Sequence, residues 1–427
     1  LFSAAQYDTL EYPQPSLRAL PNPFDEMTTE QDSVFMPLLD IDSPLPSLTL
    51  RSHHPDSTRE ITLAVPVLNG GMGVGVTGPA LAAAITNEGG GGVLTGVALG
   101  YPFQKLLNKY NDLKPFDANK AALAEWIADA KEKAHGGFVG VNLMVAVEDF
   151  KELAYTAAQN GIDLIVAGAG LPMGLPEVVE KFPDTMIAPI ISSAKAARVM
   201  LRRWMGRNRP PDAMVFESIH HSGGHQGGSV EDIKNGEYQP EEVIGQTRKL
   251  LDDAGLTDVP VIAAGGVWDK LDILKMMKWG AQGVQMASRF VLTPECGAEF
   301  GGLKVFKEYY LNNSKPTILE RSPAGLPGRA VATPFSQRFA YSNEGMTPEP
   351  HDCPSACLAS CDKKTSIYCI LEHLTRALAD DVEQGLYFAG SNVGKPGIKK
   401  EILPVKELMR RLQFGEPTES IQAAAGA

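Results

Sequence analysis

Residues 1–60 carry no sustained hydrophobic period and are rich in Pro, Ser and Asp, which predicts an extended arm over a domain surface. From residue 61 the texture changes. Short apolar runs ending in small residues, AVPVLNG (64–70), GGVLTG (91–96), GFVGVNL (137–143), IDLIVAGAG (162–170), MIAPIIS (186–192), AMVFES (213–218), VPVIAAGG (259–266) and GVQMAS (283–288), alternate with stretches of helical period. Those stretches predict helices over 79–88, 121–134, 149–160, 176–182, 194–204, 240–254, 270–279 and 295–310. Continuously apolar strands, each followed by a helix, imply a parallel sheet buried on both faces, and eight such units over 61–310 predict an α/β fold, the (β/α)8 TIM barrel. A doubly wound open sheet is the alternative that the same alternation permits. After residue 311 the alternation stops. A polar loop, a cysteine cluster, a helix near 368–384, the run GLYFAGS and an amphipathic helix near 404–412 predict a smaller C-terminal lid over 311–427, lying across the barrel mouth.

Composition narrows the class. With 44% hydrophobic and 21% charged residues the chain has the balance of a soluble globular protein, and its formal charge of -12 disfavours nucleic acid and anionic membrane surfaces as partners. No apolar run approaches a membrane span, and the start LFSAAQYDTLEYPQPSLRALPNPF lacks a cationic segment followed by an apolar one. A cytoplasmic enzyme or carrier acting on a small molecule is the expectation, with oligomerisation left open.

In a barrel, chemistry sits at the C-terminal ends of the strands. Every run ends there in small or polar residues: Asn69 to Gly73, Asn142, Gly168 to Gly170, Ser192 and Ser193, Glu217 and Ser218, Gly265 and Gly266, and Ala287 to Arg289. The last two loops, AAGGVW and MASRF, are adjacent in a barrel and offer backbone N–H groups to a phosphate, with Ser288 as a hydroxyl donor. The stretch GMGVGVTGP misses the register of a dinucleotide fingerprint and reads better as a glycine loop facing a flat ring, with Thr77 to Pro79 starting a helix.

FESIHHSGGHQGG holds His220, His221 and His225. His221 and His225 have the spacing of two ligands on a helix face, but Gly223 and Gly224 between them oppose a helix and disfavour a zinc pair. His225, after two glycines at the end of the sixth run, is placed as a general base. His220 and His221 are tentative substrate contacts. Cys353, Cys357, Cys361 and Cys369, spaced Cys-x3-Cys-x3-Cys-x7-Cys, leave three readings open: thiols, a disulfide, or ligands of zinc or an iron–sulfur cluster.

Together, PVLNGGMGVGVTGPALAAAITNEGG, GVNLM, AGAGLP, PIISSAKAA, SGGHQGG, PVIAAGGVWD and GAQGVQMASRF resemble the nitronate monooxygenase (2-nitropropane dioxygenase-like) family of flavin-dependent barrels, and their relatives the flavin-dependent enoyl-ACP reductases and NADH:quinone reductases. SPAGLPGRA, the cysteine stretch and GLYFAGSNVG are similar to the C-terminal region of a bacterial branch of that superfamily. The resemblance implies FMN held by Gly71, Met72, Asn142, Lys195, Gly224, Gly265, Gly266, Gln285, Met286, Ala287 and Ser288, with His225 as the catalytic histidine. It implies oxidation of nitronates or nitroalkanes with O2. The alternatives are an NAD(P)H-dependent reductase of enoyl thioesters or quinones, with NAD(P)H as co-substrate, and a flavin-binding partner subunit of a biosynthetic assembly. Two departures stand out: Ala287-Ser288 replaces a common Gly-Thr, and the segment before Gly-Gly-His is longer by about one residue and carries His-His.

Overall fold

The computed structural model describes residues 41–312, 315–320, 322–340, 353, 357–359, 361 and 366–416; most of the expected arm and parts of the expected lid lie outside them. The arm's described end is not an arm. β1 (Leu48–Arg51) and β2 (Glu60–Leu63) pair as an antiparallel hairpin, and the expected boundary at 60/61 falls inside β2. Leu48, Leu50 and Leu63 alternate inward and join the core beside Leu68, Met186 and Ile262, so the hairpin closes the base of the barrel. Four residues of inward alternation are too short a signal to stand out among prolines and aspartates.

The barrel follows. β3 (Val67–Asn69), β4 (Gly92–Thr95), β5 (Val139–Met144), β6 (Leu164–Gly168), β7 (Met186–Ile191) and β8 (Met214–Glu217) run in order. A two-residue strand, β9 (Gly224–His225), leaves the barrel after β8, and β10 (Val261–Ala264) and β11 (Gly283–Met286) complete it. All eight barrel strands are parallel, in the order β3-β11-β10-β8-β7-β6-β5-β4. Leu68 bridges Gly91 at the seam, with Gly91 N–H donating to Val67 O at 2.9 Å, so the sheet closes and the open-sheet alternative falls. Buried carboxylates set the strand starts: Asp163 accepts from Val139 N at 2.8 Å and Asp212 from Ile187 N at 2.7 Å.

The helix expected over 295–310 is broken into a 3-10 turn at Ala298–Phe300 and a helix at Lys304–Leu311, and a short turn of helix at Ser288–Val291 precedes them. Gly297, Gly301 and Gly302 at φ 67°, 87° and 91° interrupt it.

The C-terminal segment is more than a cap. β12 (Pro316–Leu319) and β13 (Gly328–Val331) form an antiparallel sheet with β9, pairing Gly328 with His225 and Arg329 with Gly224. The last helix, Val405–Phe414, does not cross the mouth: Met409 packs where Gly90 has no side chain, beside the helix Pro79–Asn87.

Candidate active site

A cavity of about 470 Å3 opens at the C-terminal ends of the barrel strands. Gly71, Met72, Asn142, Gly224, His225, Gly265, Gly266, Gln285, Met286, Ala287, Ser288 and His221, singled out in the sequence, all line it.

The first-strand loop is pinned by Thr77, whose Oγ1 accepts from Met72 N at 2.9 Å and whose carbonyl accepts from Thr95 N at 3.1 Å. Thr77 does not cap the helix that follows. That helix starts at Gly78-Pro79, and Glu299 supplies the acceptor, taking the Ala80 N–H at 2.8 Å. A Cβ on Gly71 would overlap the Asn142 side chain, so loop and β5 meet at backbone distance. Gly265 and Gly266 sit at φ 90° and 80°, and a Cβ on Gly265 would collide with Ser222. Ser288 Oγ accepts the Gly390 N–H at 2.9 Å, joining the last barrel loop to the C-terminal segment. Arg289 lies outside the cavity lining, with its guanidinium over the Trp268 ring at 5.1 Å.

His225 is fixed from three sides. Gly224 takes φ 77° to turn the chain into β9, His225 Nε2 lies 3.1 Å from Ser322 Oγ, and the ring meets Phe388 edge to face at 5.3 Å. Burial pushes its pKa down to about 4, so the imidazole is neutral around pH 7. Behind it, Arg329 donates to the carbonyls of Ser222 and Ile219 and to Gln226 Oε1, and Gln226 N–H donates to Pro327 O at 2.8 Å. Burial depresses this guanidinium to about 10. β13 thus holds the loop that bears the histidine.

The other expected residues divide. His221 stands against Gly266, with Nδ1 3.0 Å from Ser391 Oγ, and burial, then Arg329, lowers it to about 4. His220 does not line the cavity; its Nε2 meets Glu237 O at 2.6 Å on the surface side. Lys195 is exposed and does not line it either. It occupies the second position of the helix Ala194–Met205, whose N-cap Ser193 and first-turn Ala196 take the cavity side.

Glu217 was missed. It ends β8 inside the cavity, and burial raises its carboxyl to about 7. Its place at a strand end was the only signal. Phe388 and Asn392 also line the cavity, brought in by the C-terminal segment around GLYFAGSNVG, and Tyr310 lines it from the helix Lys304–Leu311. Two buried acceptors at the wall, Gln285 Oε1 and Ser222 Oγ, have no hydrogen-bond partner among the described residues.

Closed parallel barrel, glycine-walled cavity at its C-terminal mouth and one neutral imidazole fixed within it define a ligand-binding barrel of the enzyme type. The chain belongs to the nitronate monooxygenase family, whose model matches residues 56–414. A nitronate monooxygenase of Pseudomonas aeruginosa is 27% identical over 83% of this chain and 97% of its own. A 5-hydroxy-7a-methyl-1-oxo-octahydro-1H-indene-4-carboxyl-CoA dehydrogenase of Rhodococcus jostii is 28% identical, covering 65% of this chain and 65% of its own. Among solved structures, FabK from Thermotoga maritima superposes with a TM-score of 0.58 at 23% identity, over 85% of this chain and 95% of that one. Nitroalkane oxidase from Streptomyces ansochromogenes gives 0.59 at 18%, over 85% and 98%. Family membership makes the chain a flavin-dependent oxidoreductase. Among the described residues no helix is long and apolar enough to cross a membrane.

Proposed function

We propose that the chain is an FMN-dependent enzyme that oxidises alkyl nitronates and nitroalkanes with O2 to a carbonyl compound and nitrite, with His225 as its base. The observation that carries this reading is the neutral imidazole held by Ser322 and Phe388 at the wall of a glycine-framed cavity. The residues present fit a flavin. Gly71 and Gly265 keep the wall at backbone height where a Cβ would collide, Gly266 sits in tight contact with His221, and Gln285 Oε1 and Ser222 Oγ, without a partner among the described residues, await a donor from a ligand. Gly265, Gly266 and Ser288, on adjacent loops, would take the phosphate, and Gly71, Met72, Asn142 and Gln285 the ring and ribityl chain.

Bound there, FMN would supply the redox chemistry, an electron acceptor that O2 can reoxidise. The protein's part is acid–base and positional. With Nε2–H donating to Ser322 Oγ, Nδ1 of His225 carries the lone pair and removes the proton alpha to a nitro group. Phe388 packs against the ring, and Arg329 holds the loop that carries it. Met72, Val97, Leu374 and Phe388 give the cavity an apolar wall suited to an alkyl chain.

The reading is tested with purified protein. It expects a flavin absorption spectrum, nitrite release from a nitronate in air, and slow anaerobic bleaching by NADH or NADPH. Rapid bleaching by a nicotinamide, with no nitronate turnover, would replace it with a reductase acting on enoyl thioesters, the substrate type closest to that in the Rhodococcus relative's name.

A further inference from the structure

Of the groups the proposed chemistry leaves unused, the clustered cysteines give no site. Cys353, Cys357, Cys361 and Cys369 are free thiols, and among the described residues no three His, Cys, Asp or Glu gather as metal ligands. Glu217 is different. It is the one acid among the residues that line the cavity, and no described cation or hydrogen-bond donor offsets the burial of its carboxyl.

Strand register puts Glu217 in a row with other polar groups. Ala264 on β10 pairs with Glu217 on β8 and with Gln285 on β11. Val215 and Ile262, two residues earlier on β8 and β10, belong to the barrel core, as does Leu68, which is level with Gln285. Glu217 and Gln285 therefore point into the barrel at its mouth, with the small Ala264 between them. Ser222 completes the group, because its side chain is what a Cβ on Gly265, the residue after Ala264, would strike. Ser222 and Gln285 are 5% and 6% exposed, and Ser222 Oγ and Gln285 Oε1 have no hydrogen-bond partner among the described residues. Each such buried, unmet oxygen costs about 1–3 kcal/mol. Three acceptors around the end of β10 thus mark a place where a ligand brings donors.

Their chemistry says which part of a flavin that is. A phosphate brings acceptors and negative charge, which a carboxylate repels, and the isoalloxazine ring is mostly acceptors along its polar edge. The ribityl chain is a run of hydroxyls, each able to donate. Oxygens on neighbouring strands, set about 4.8 Å apart from strand to strand, can meet such a run along its length.

We propose that Glu217, with Gln285 and Ser222, anchors the ribityl hydroxyls of the flavin, and that Glu217 does so as a carboxylate, so that flavin loading expels its proton to solvent. The proposal rests on the flavin reading of the cavity and not on the substrate assigned above. Without donors, burial holds this carboxyl up at about 7, and hydroxyls donating to it favour the ionised form. The groups around it keep their charge between pH 6 and 8. His221 and His225, pushed down to about 4, are neutral there, Tyr310 is raised above its usual range, and Arg329, behind the histidine loop at about 10, stays positive. Ile190 and Ile191 on β7 and Ala264 on β10 line the cavity beside Glu217 and do not titrate.

The test is binding of riboflavin and of lumiflavin to the flavin-free full chain, read by fluorescence quenching between pH 6 and 8. Riboflavin keeps the ribityl chain and lacks the phosphate, whose own titration would overlap; lumiflavin lacks both. Riboflavin should bind roughly tenfold tighter at pH 8 than at pH 6, and calorimetry in buffers of different ionisation heat should show proton release at pH 6. Lumiflavin should show neither effect. Glu217→Gln should make riboflavin binding independent of pH and about tenfold weaker than in the unaltered chain at pH 8. Should that variant fail to fold, the two ligands on the unaltered chain decide. Riboflavin affinity that is flat or falls as pH rises, lumiflavin that titrates like riboflavin, or a pH dependence surviving in Glu217→Gln would each overturn the proposal. A chain that takes up none of FMN, riboflavin and lumiflavin would overturn the flavin reading as well, whereas one that holds FMN yet binds riboflavin without pH dependence overturns this proposal alone.

Discussion

At the scale of single residues, the site depends on two groups whose ordinary protonation burial has changed. His225 is pushed down to about 4, so its base form is complete above about pH 5. Oxidation of a neutral nitroalkane should therefore hold steady down to about pH 5 and fall as the pH drops through 4, whereas a base with the usual imidazole pKa would fail near 6.5. A pH profile of kcat/KM reads this directly. His225→Ala should cost about 10²- to 10⁴-fold on the nitroalkane and less on the preformed nitronate, which needs no proton removed. Equal losses on both would mean that the histidine positions rather than deprotonates. Glu217 works in the opposite sense. Its carboxyl is raised to about 7, so the folded chain holds that proton more tightly than the unfolded one does. The stability cost is absent below the ordinary carboxyl range, develops as pH rises, and is complete above about 7. Glu217→Gln should stabilise flavin-free protein at pH 8 by about 1–3 kcal/mol and scarcely at pH 4. Urea titrations at the two pH values measure the difference.

At the scale of elements, the histidine loop is fixed by a strand 100 residues away in the chain. Arg329 on β13 donates to two carbonyls and one amide oxygen of the 219–226 loop. Arg329→Met should orphan these buried acceptors at about 1–3 kcal/mol each and lower kcat by about 10²-fold through misplacement of His225. Arg329→Lys should not restore the rate, because an ammonium lacks the planar fork. Full turnover in either variant would show that β9 is held by its ladder alone. This pairing also marks where the sequence was legible. The eight barrel strands could be read because each is a continuous apolar run, and the glycine and histidine loops could be read because strand ends in a barrel are where chemistry goes. The β9–β13 sheet was not legible: β9 is two residues long, Gly-His, with no hydrophobic period at all. Lys195 was misplaced for a related reason. Its neighbours follow the family pattern, but a side chain's direction in the first turn of a helix is set by the capping of Ser193, which composition does not reveal.

At the scale of the whole molecule, the barrel is closed from below by its own N-terminal hairpin. Leu50 is fully buried there, and Leu50→Ala should cost about 2–5 kcal/mol in unfolding free energy while leaving the cavity at the other end intact. The loop between the hairpin's two strands is tied down by charge. Asp212, fully buried just before β8, takes a two-pronged contact from Arg209 at 2.9 and 2.6 Å, and His53 Nδ1 comes within 3.3 Å of the same carboxylate. The bond to Asp212 raises the His53 pKa above its usual 6.5, against the opposing effect of burial. A proton held more tightly in the folded chain stabilises it fully below 6.5, and that contribution is lost as pH rises through the raised folded value. Unfolding free energy should thus decline between pH 6 and 8 from this group as well as from Glu217, and two variants separate them. His53→Asn should remove its share of the slope and lower stability most at the acid end. Glu217→Gln should remove its share and raise stability most at the alkaline end. If His53→Asn leaves the slope unchanged in a Glu217→Gln background, the imidazole's contact with Asp212 contributes nothing that depends on protonation.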